Sequence, residues 1–267
     1  MKTESYQVRE GKKLSLKEYD PNETTGVTKE EAAVRKPQLQ LHLVKLQERL
    51  HAEEKQSLLV VLQTRDAGGK DGTIKHVFTG LNPQGVNVTG FKEPTPLELS
   101  HDFLWRVHAH TPVAGMIGVF NRSYYEDVLV TRVHGEVDKQ EVERRYDEIR
   151  AFEISLQNRG TRILKLHLNI SKDEQKKRFQ DRLDDPEKHW KFSQNDLDER
   201  ALWDDYTKAY QDTLSATSTA TAPWYIIPAN HKWFRNDLIM HILLETLNDM
   251  NPQFPKVDFD PSKIIIE

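Results

Sequence analysis

Ser57-Leu-Leu-Val-Val-Leu-Gln63 runs almost directly into Arg65-Asp-Ala-Gly-Gly-Lys70, and no other stretch of the chain restricts its fold so strongly. A short apolar run with β-branched residues and no alternation suits a strand buried on both faces, as in parallel sheets covered on both sides by helices. Gly68, Gly69 and Gly72 surround Lys70 just before a helix expected from about Asp71. That layout is a phosphate cradle, in which backbone N–H groups and a helix N-terminus face the anion and the lysine neutralises it. The backbone from Ala67 through Gly68, Gly69, Asp71, Gly72 and Thr73 would wrap the phosphates. The strict pattern G-x-x-x-x-G-K-[ST] is broken twice, by Thr64 at the first glycine and by Asp71 at the hydroxyl position. The stretch is a variant P-loop. Asp66 inside it is the natural hard-oxygen replacement for the hydroxyl that would hold Mg²⁺, or it orients a phosphate through the metal.

The same alternation of strand and helix continues down the chain. Leu39, Leu43, Leu46 and Leu50 mark an amphipathic helix from Pro37, and strands are expected at 86–91, 115–121, 162–170 and 224–227. Helices are expected at 95–108, 139–157, 196–214 and 233–250, with a further one opened by a Ser171/Glu174 capping box. This pattern predicts one three-layer α/β domain with a parallel sheet over residues 36–267. Residues 1–35 read as a polar N-terminal surface arm whose first 30 residues add nothing to the core.

Composition narrows the function classes. The absence of cysteine excludes disulfides, thiolate zinc sites and cysteine nucleophiles, and agrees with a reducing cytoplasm. The longest aliphatic run, Leu58 to Leu62, is too short to cross a bilayer, and the polar start lacks a signal peptide's apolar stretch. With 38 basic against 42 acidic side chains, the chain is no general nucleic-acid coat, so any polyanion must be held by a local basic cluster.

Two further segments carry such charge. Gly115-Met-Ile-Gly-Val-Phe-Asn121 is an apolar strand that ends in a polar residue, which places Asn121 at the carboxyl edge of the sheet where open α/β folds bind ligands. Arg122, Glu126, Asp127 and Arg132 follow at once, a mixture that suits a metal-bridged phosphate. A P-loop enzyme normally has Asp at this strand end, so a metal here would lean on Asp66 and Asp127. Further on, Arg178 and Arg182 share a helix face beside a buried face of Phe179 and Leu183. They could stabilise a transferring phosphoryl group while the segment around Pro186 closes as a lid over about 171–200. His101 and His108 read as hydrogen-bonded core or interface histidines, and Trp203, Tyr206, Tyr210 and Leu214 as helix packing, with base stacking the lesser alternative. His231-Lys-Trp-Phe-Arg235 reads as a helix start docked on the sheet, whose basic groups could reach phosphate.

QTRDAGGKDGTIKHV, GFKEPTPLELSHDFLWRVH, GMIGVFNRSYYEDVLVTRVH, EQKKRFQDRLDDPEKHWKF and PWYIIPANHKWFRN together resemble the blocks of the family-2 polyphosphate kinases over residues 35–253. The likeness is to the branch that phosphorylates nucleoside monophosphates as well as diphosphates. It implies a P-loop kinase fold related to thymidylate kinases, with a helical lid, Mg²⁺ (Mn²⁺ as a substitute) and inorganic polyphosphate as donor to AMP and ADP, with guanine nucleotides a further acceptor class. Carried over to this chain, the resemblance makes Asp66 the metal- or phosphate-orienting carboxylate, Lys70 the phosphate-binding lysine, and Arg122 and Arg178 phosphate clamps. Asp127 takes a second acidic role. Asn121 with Glu126 matches the monophosphate-using branch and marks the acceptor side. Lys75, Lys92, Arg132, Arg182 and Lys191 would line a channel for the long donor. The family also implies a homodimer or homotetramer. The rivals are an ATP-dependent nucleoside monophosphate kinase and a binding module without chemistry.

Overall fold

The structure, a computed structural model, describes residues 1–266. Five parallel strands lie in the order β2-β3-β1-β4-β5: β1 Ser57–Gln63, β2 Val86–Gly90, β3 Ile117–Asn121, β4 Thr161–Asn169 and β5 Trp224–Pro228. Every residue of β1 is buried, as its unbroken apolar run requires. Leu58, Val60 and Leu62 point to one face and Leu59 and Val61 to the other, following the two-residue period of a strand. Each such side chain contributes about 1.5–3 kcal/mol on burial.

The first face is covered by α1 Lys29–Glu53, α2 Lys70–Val77 and α10 Lys232–Met250, and the second by α5 Glu126–Val133, α6 Lys139–Asn158 and α9 Trp203–Thr217. Two one-turn helices, α3 Pro96–Leu99 and α4 Trp105–His108, precede β3, while α7 Lys172–Leu183 and α8 Asn195–Ala201 separate β4 from α9. β1 and β3 pair from Leu58 with Ile117 to Leu62 with Asn121, so their carboxyl ends open side by side. No helix among the described residues is long and apolar enough to cross a membrane.

The sequence expectations meet several differences. The first helix starts at Lys29, before Pro37, because Thr28 and Glu31 form a complete capping box. The stretch 95–108 is not one helix: Ser100 and Asp102 turn their side chains onto Leu97 O and Leu104 N–H, which competes with helical pairing. His101 and His108 are therefore exposed, and His101 stacks on Trp105 at 4.1 Å. The helix expected from 196 is split at Leu202, α5 had no expected counterpart, and Leu183 is exposed. The Ser171 box is half formed, since the Glu174 carboxylate turns to Arg178.

The N-terminal arm does pack on the domain, and it supplies core residues that were not expected of it. Tyr6 joins one cluster, and Val8, Leu14 and Leu16 join the other. Gln7 bridges Tyr225 antiparallel, and the Val8 N–H donates to Trp224 O at 2.8 Å. The arm thereby covers the open edge of β5, which would otherwise offer unpaired backbone to another chain. Its apolar residues are too sparse to signal a core by count, yet an extended segment needs only one side chain per contact.

Beneath the second face, Lys165 of β4 is fully buried and donates to Glu153 Oε2 at 2.7 Å, Thr217 O at 2.7 Å and Tyr125 O–H at 3.2 Å. Tyr124 and Tyr125 donate to the other Glu153 oxygen. Burial pushes the Lys165 ammonium down from its ordinary value, while Glu153 opposes that shift. Removing one partner strands the other. Glu153→Ala is expected to lower the unfolding free energy by about 3–5 kcal/mol. Urea denaturation followed by tryptophan fluorescence checks this; an unchanged midpoint would mean that Lys165 carries no charge in the core.

Candidate active site

The turn between β1 and α2 presents its amides inward. Ala67 and Gly69 have φ of 57° and 102°, alternate left-handed residues that curl successive N–H groups toward one concavity. The N–H groups of Gly69, Lys70, Asp71 and Gly72 have no protein acceptor among the described residues, as befits a helix start that awaits an anion. Gly69 is required twice, by its φ and because a β-carbon there would collide with Arg235. At Gly68 a β-carbon would strike Thr64, whose hydroxyl is fixed on Leu168 O at 2.6 Å.

Arg178 holds the loop from behind. Its Nη1 donates to Ala67 O and Gly68 O at 2.9 and 3.0 Å, its Nη2 to Ala229 O and Asn230 O at 2.5 and 3.3 Å, and its Nε to Glu174 at 2.7 Å. Gln175, one turn earlier, donates to Asp66 O at 3.0 Å. The first turns of α7 are thus packed under the loop. Arg178 lines the cavity above it, but as a staple rather than as the clamp expected of a closing lid.

At the end of β3, Asn121 donates from Nδ2 to Asp71 Oδ1 at 2.8 Å. An aspartate at 121 would set two carboxylates against each other there, which accounts for the neutral residue. Arg122 follows with φ 64°, a strained conformation for a non-glycine, and its Nη2 lies 3.1 Å from Asp66 Oδ1. Burial alone would lower the Arg122 guanidinium, but Glu126 and Asp66 outweigh it and raise it. Lys70 moves the opposite way, lowered by burial and by Arg122 against the pull of Glu126, Asp66 and Asp71. Burial raises the Glu126 carboxyl, with Arg122 and Lys70 opposing.

Two cavities meet at this point. A basin of about 670 Å³ is lined by the loop, Asn121, Arg122 and Arg178, and it carries nine lysines and arginines against four aspartates. A smaller pocket of about 140 Å³ has an aromatic wall of Trp203, Tyr206 and Tyr210 with Glu126, Gln175 and Glu199. Both contain Asp66 and Arg122.

Residues 26–255 match the sequence pattern of the family described as polyphosphate kinase 2. The AMP/ADP-polyphosphate phosphotransferase of Meiothermus ruber is 50% identical over 264 residues, 98% of this chain and 99% of the relative. The ADP-polyphosphate phosphotransferase of Rhodopseudomonas palustris is 42% identical, covering 96% of this chain and 93% of its own. The crystal structure of polyphosphate kinase 2 from Arthrobacter aurescens TC1 superimposes with a TM-score of 0.93 at 48% identity, over 97% of this chain and 93% of that one. The chain belongs to the polyphosphate kinase 2 family. Its fold is the P-loop kinase fold, a three-layer α/β arrangement.

Not every residue expected in a polyphosphate kinase site reaches it. Lys92, Arg182 and Lys191 line the basin, with Arg182 tied to Lys191 O and Asp196. Thr73 is buried with its hydroxyl on Gly69 O, and Lys75 lies exposed outside the basin, where its neighbour His76 takes the place. Arg132 is spent on Asp212 at 2.6 Å and Tyr146 at 3.3 Å between helices. Asp127 is corrected as a metal ligand. One residue beyond Glu126 on a helix, it points elsewhere, 3.9 Å from Arg106, and burial pushes its carboxyl up to about 6 despite Arg106 and Arg145. Sequence reasoning passed over Arg65, which stacks on Trp203 at 3.8 Å in the pocket wall, and left Lys232 and Arg235 at the edge of suspicion although both line the basin.

Among the described residues no three His, Asp or Glu side chains converge as a metal cage. Mg²⁺ needs none, because it keeps several waters and binds one or two carboxylates together with substrate phosphates. Asp66 fits that demand: Oδ1 accepts from Arg122, and Oδ2 has no partner among the described residues.

The staple makes a measurable difference between loss of structure and loss of chemistry. Arg178→Ala is expected to cost about 3 kcal/mol of stability as well as most of the activity, since four loop carbonyls lose a buried charged donor. Calorimetry of the variant checks this; a melting temperature equal to wild type would restore Arg178 to a purely ligand-directed role.

Proposed function

We propose that the protein transfers the terminal phosphoryl group of inorganic polyphosphate to AMP and ADP, and runs in reverse when ATP is abundant. The observation that carries this reading is the pair of cavities sharing Asp66 and Arg122, one strongly basic and one aromatic and mixed in charge. A long, featureless polyanion suits the basin, which concentrates positive charge on a chain of net charge −4. The base of a nucleotide suits the pocket, where aromatic rings meet it, and the phosphate would reach Arg122 where the pocket joins the basin. The names of the relatives support the same substrates.

The P-loop amides and Lys70 hold the donor's terminal phosphate, and Arg122, fixed by Asp66, faces it from the acceptor side. A loose, in-line transition state needs this positioning and charge neutralisation and no protein nucleophile. Mg²⁺ on Asp66 would add charge neutralisation between the phosphates, and Mn²⁺ has the same oxygen preference. Exposed Phe254, Val257 and Phe259 near the C-terminus support self-association as a homodimer or homotetramer.

The deciding assay incubates purified protein with AMP, Mg²⁺ and polyphosphate and separates ADP and ATP over time. ADP followed by ATP is expected; phosphorylation of AMP by ATP alone at the same rate would instead make it a nucleoside monophosphate kinase. Lys70→Ala should lower kcat/KM by roughly two to four orders of magnitude, about 3–5 kcal/mol of transition-state stabilisation, in a folded variant. Glu126→Lys should reduce kcat/KM for AMP more than for ADP, because the two acceptors differ by one phosphate and its charge beside this carboxylate. Equal reductions under saturating polyphosphate would make Glu126 a scaffold residue.

A further inference from the structure

Arg235 is a buried cation with no carboxylate partner among the described residues. It lies in the first turn of α10, 2% exposed, with Nε and Nη2 on the side-chain oxygen of Asn236 at 3.1 and 2.9 Å. Lys165, Arg178 and Arg106, the other buried cations of the core, each have an acidic partner. Burial first, and the like charge of Arg178 second, push its guanidinium down. A guanidinium nevertheless stays protonated in a protein. Nη1 of Arg235 touches the place where a Gly69 β-carbon would stand, and Arg178 Nη1 comes within 3.4 Å of the same point. Two guanidiniums therefore converge under the phosphate loop with one carboxylate, Glu174, between them. Arg235 lines the basin and is absent from the aromatic pocket.

We propose that the phosphate chain bound in the basin is the counter-ion of Arg235, which fixes the affinity for the donor and leaves the acceptor untouched. The inference rests on the reading of the basin as the donor site. It goes further in saying that the fold withholds an acidic partner from Arg235, so that the unliganded protein carries a local repulsion relieved only by an anion. Lys232, three residues earlier on the same helix face, lines the same cavity and adds to its reach. Because an anion that binds only the folded state stabilises it, donor binding and thermal stability are linked through this residue.

Calorimetry of the full chain in EDTA, without nucleotide, with and without sodium tripolyphosphate, tests the proposal. Wild type should melt at a higher temperature with tripolyphosphate. Arg235→Met should melt no lower than wild type when unliganded, since an unpaired charge has been removed, and should lose most of the rise. In turnover its KM for polyphosphate should increase at least tenfold while its KM for AMP changes less than twofold. Arg235→Lys keeps the charge without the planar fork and should fall between the two. If Arg235→Met is destabilised or fails to fold, or if its rise with tripolyphosphate equals that of wild type, Arg235 is structural and the proposal is wrong. If wild type itself shows no rise, the basin is not the donor site, and the functional reading falls together with the inference.

Discussion

Five hydrogen bonds from one guanidinium set the geometry on which the remainder of the site depends. A loop that turns its amides inward must turn its carbonyls outward, and those carbonyls need donors in a place that water does not reach. Arg178 supplies them for Ala67 and Gly68, and with its other arm joins the loop to Ala229 and Asn230 after β5. Three separate parts of the chain, the P-loop, α7 and the β5–α10 connection, are thereby held in one arrangement. A lysine could not replace it, because three donors on a rotating ammonium cannot span two pairs of carbonyls in a plane.

On that frame the charges are divided by direction. Asp66 and Arg122 stand where the two cavities join, and their pairing at 3.1 Å keeps the arginine aimed across the gap instead of into either side. Lys70 has no such tether among the described residues, and burial, followed by the neighbouring Arg122, lowers its pKa against the pull of Glu126, Asp66 and Asp71. Asn121 completes the set by fixing Asp71 without adding another negative charge beside the loop.

The strand–turn–helix unit at 57–77 was legible because its chemistry is local: apolar residues, glycines and lysine lie in consecutive positions. The same holds for Asn121, Arg122 and Glu126, which follow directly from a strand end. What was misjudged depended on direction or on distant partners. Glu126 and Asp127 are adjacent in sequence, but neighbours on a helix diverge by about 100°, so only one of them faces the site. Arg178 was expected as a phosphate clamp carried by a lid, and its grip on the loop was not legible, since its carbonyl partners are not encoded near it. Arg235 lay in a motif that had been noticed, yet its lack of a carboxylate is a property of packing alone. The arm was underestimated because its contacts reach across more than 200 residues.

That arm has a consequence for the order in which the protein comes into being. Val8, Leu14 and Leu16 find their partners at Ser218, Ser215 and Gln211, and Gln7 waits for Tyr225. A ribosome delivers those partners only after the phosphate loop and four strands have already emerged. Residues 7–16 therefore settle only once partners more than 190 positions later have been made, and the edge strand they cover stays exposed from its appearance until they pack on it. Closure of this edge waits for the strand that is made after the other four.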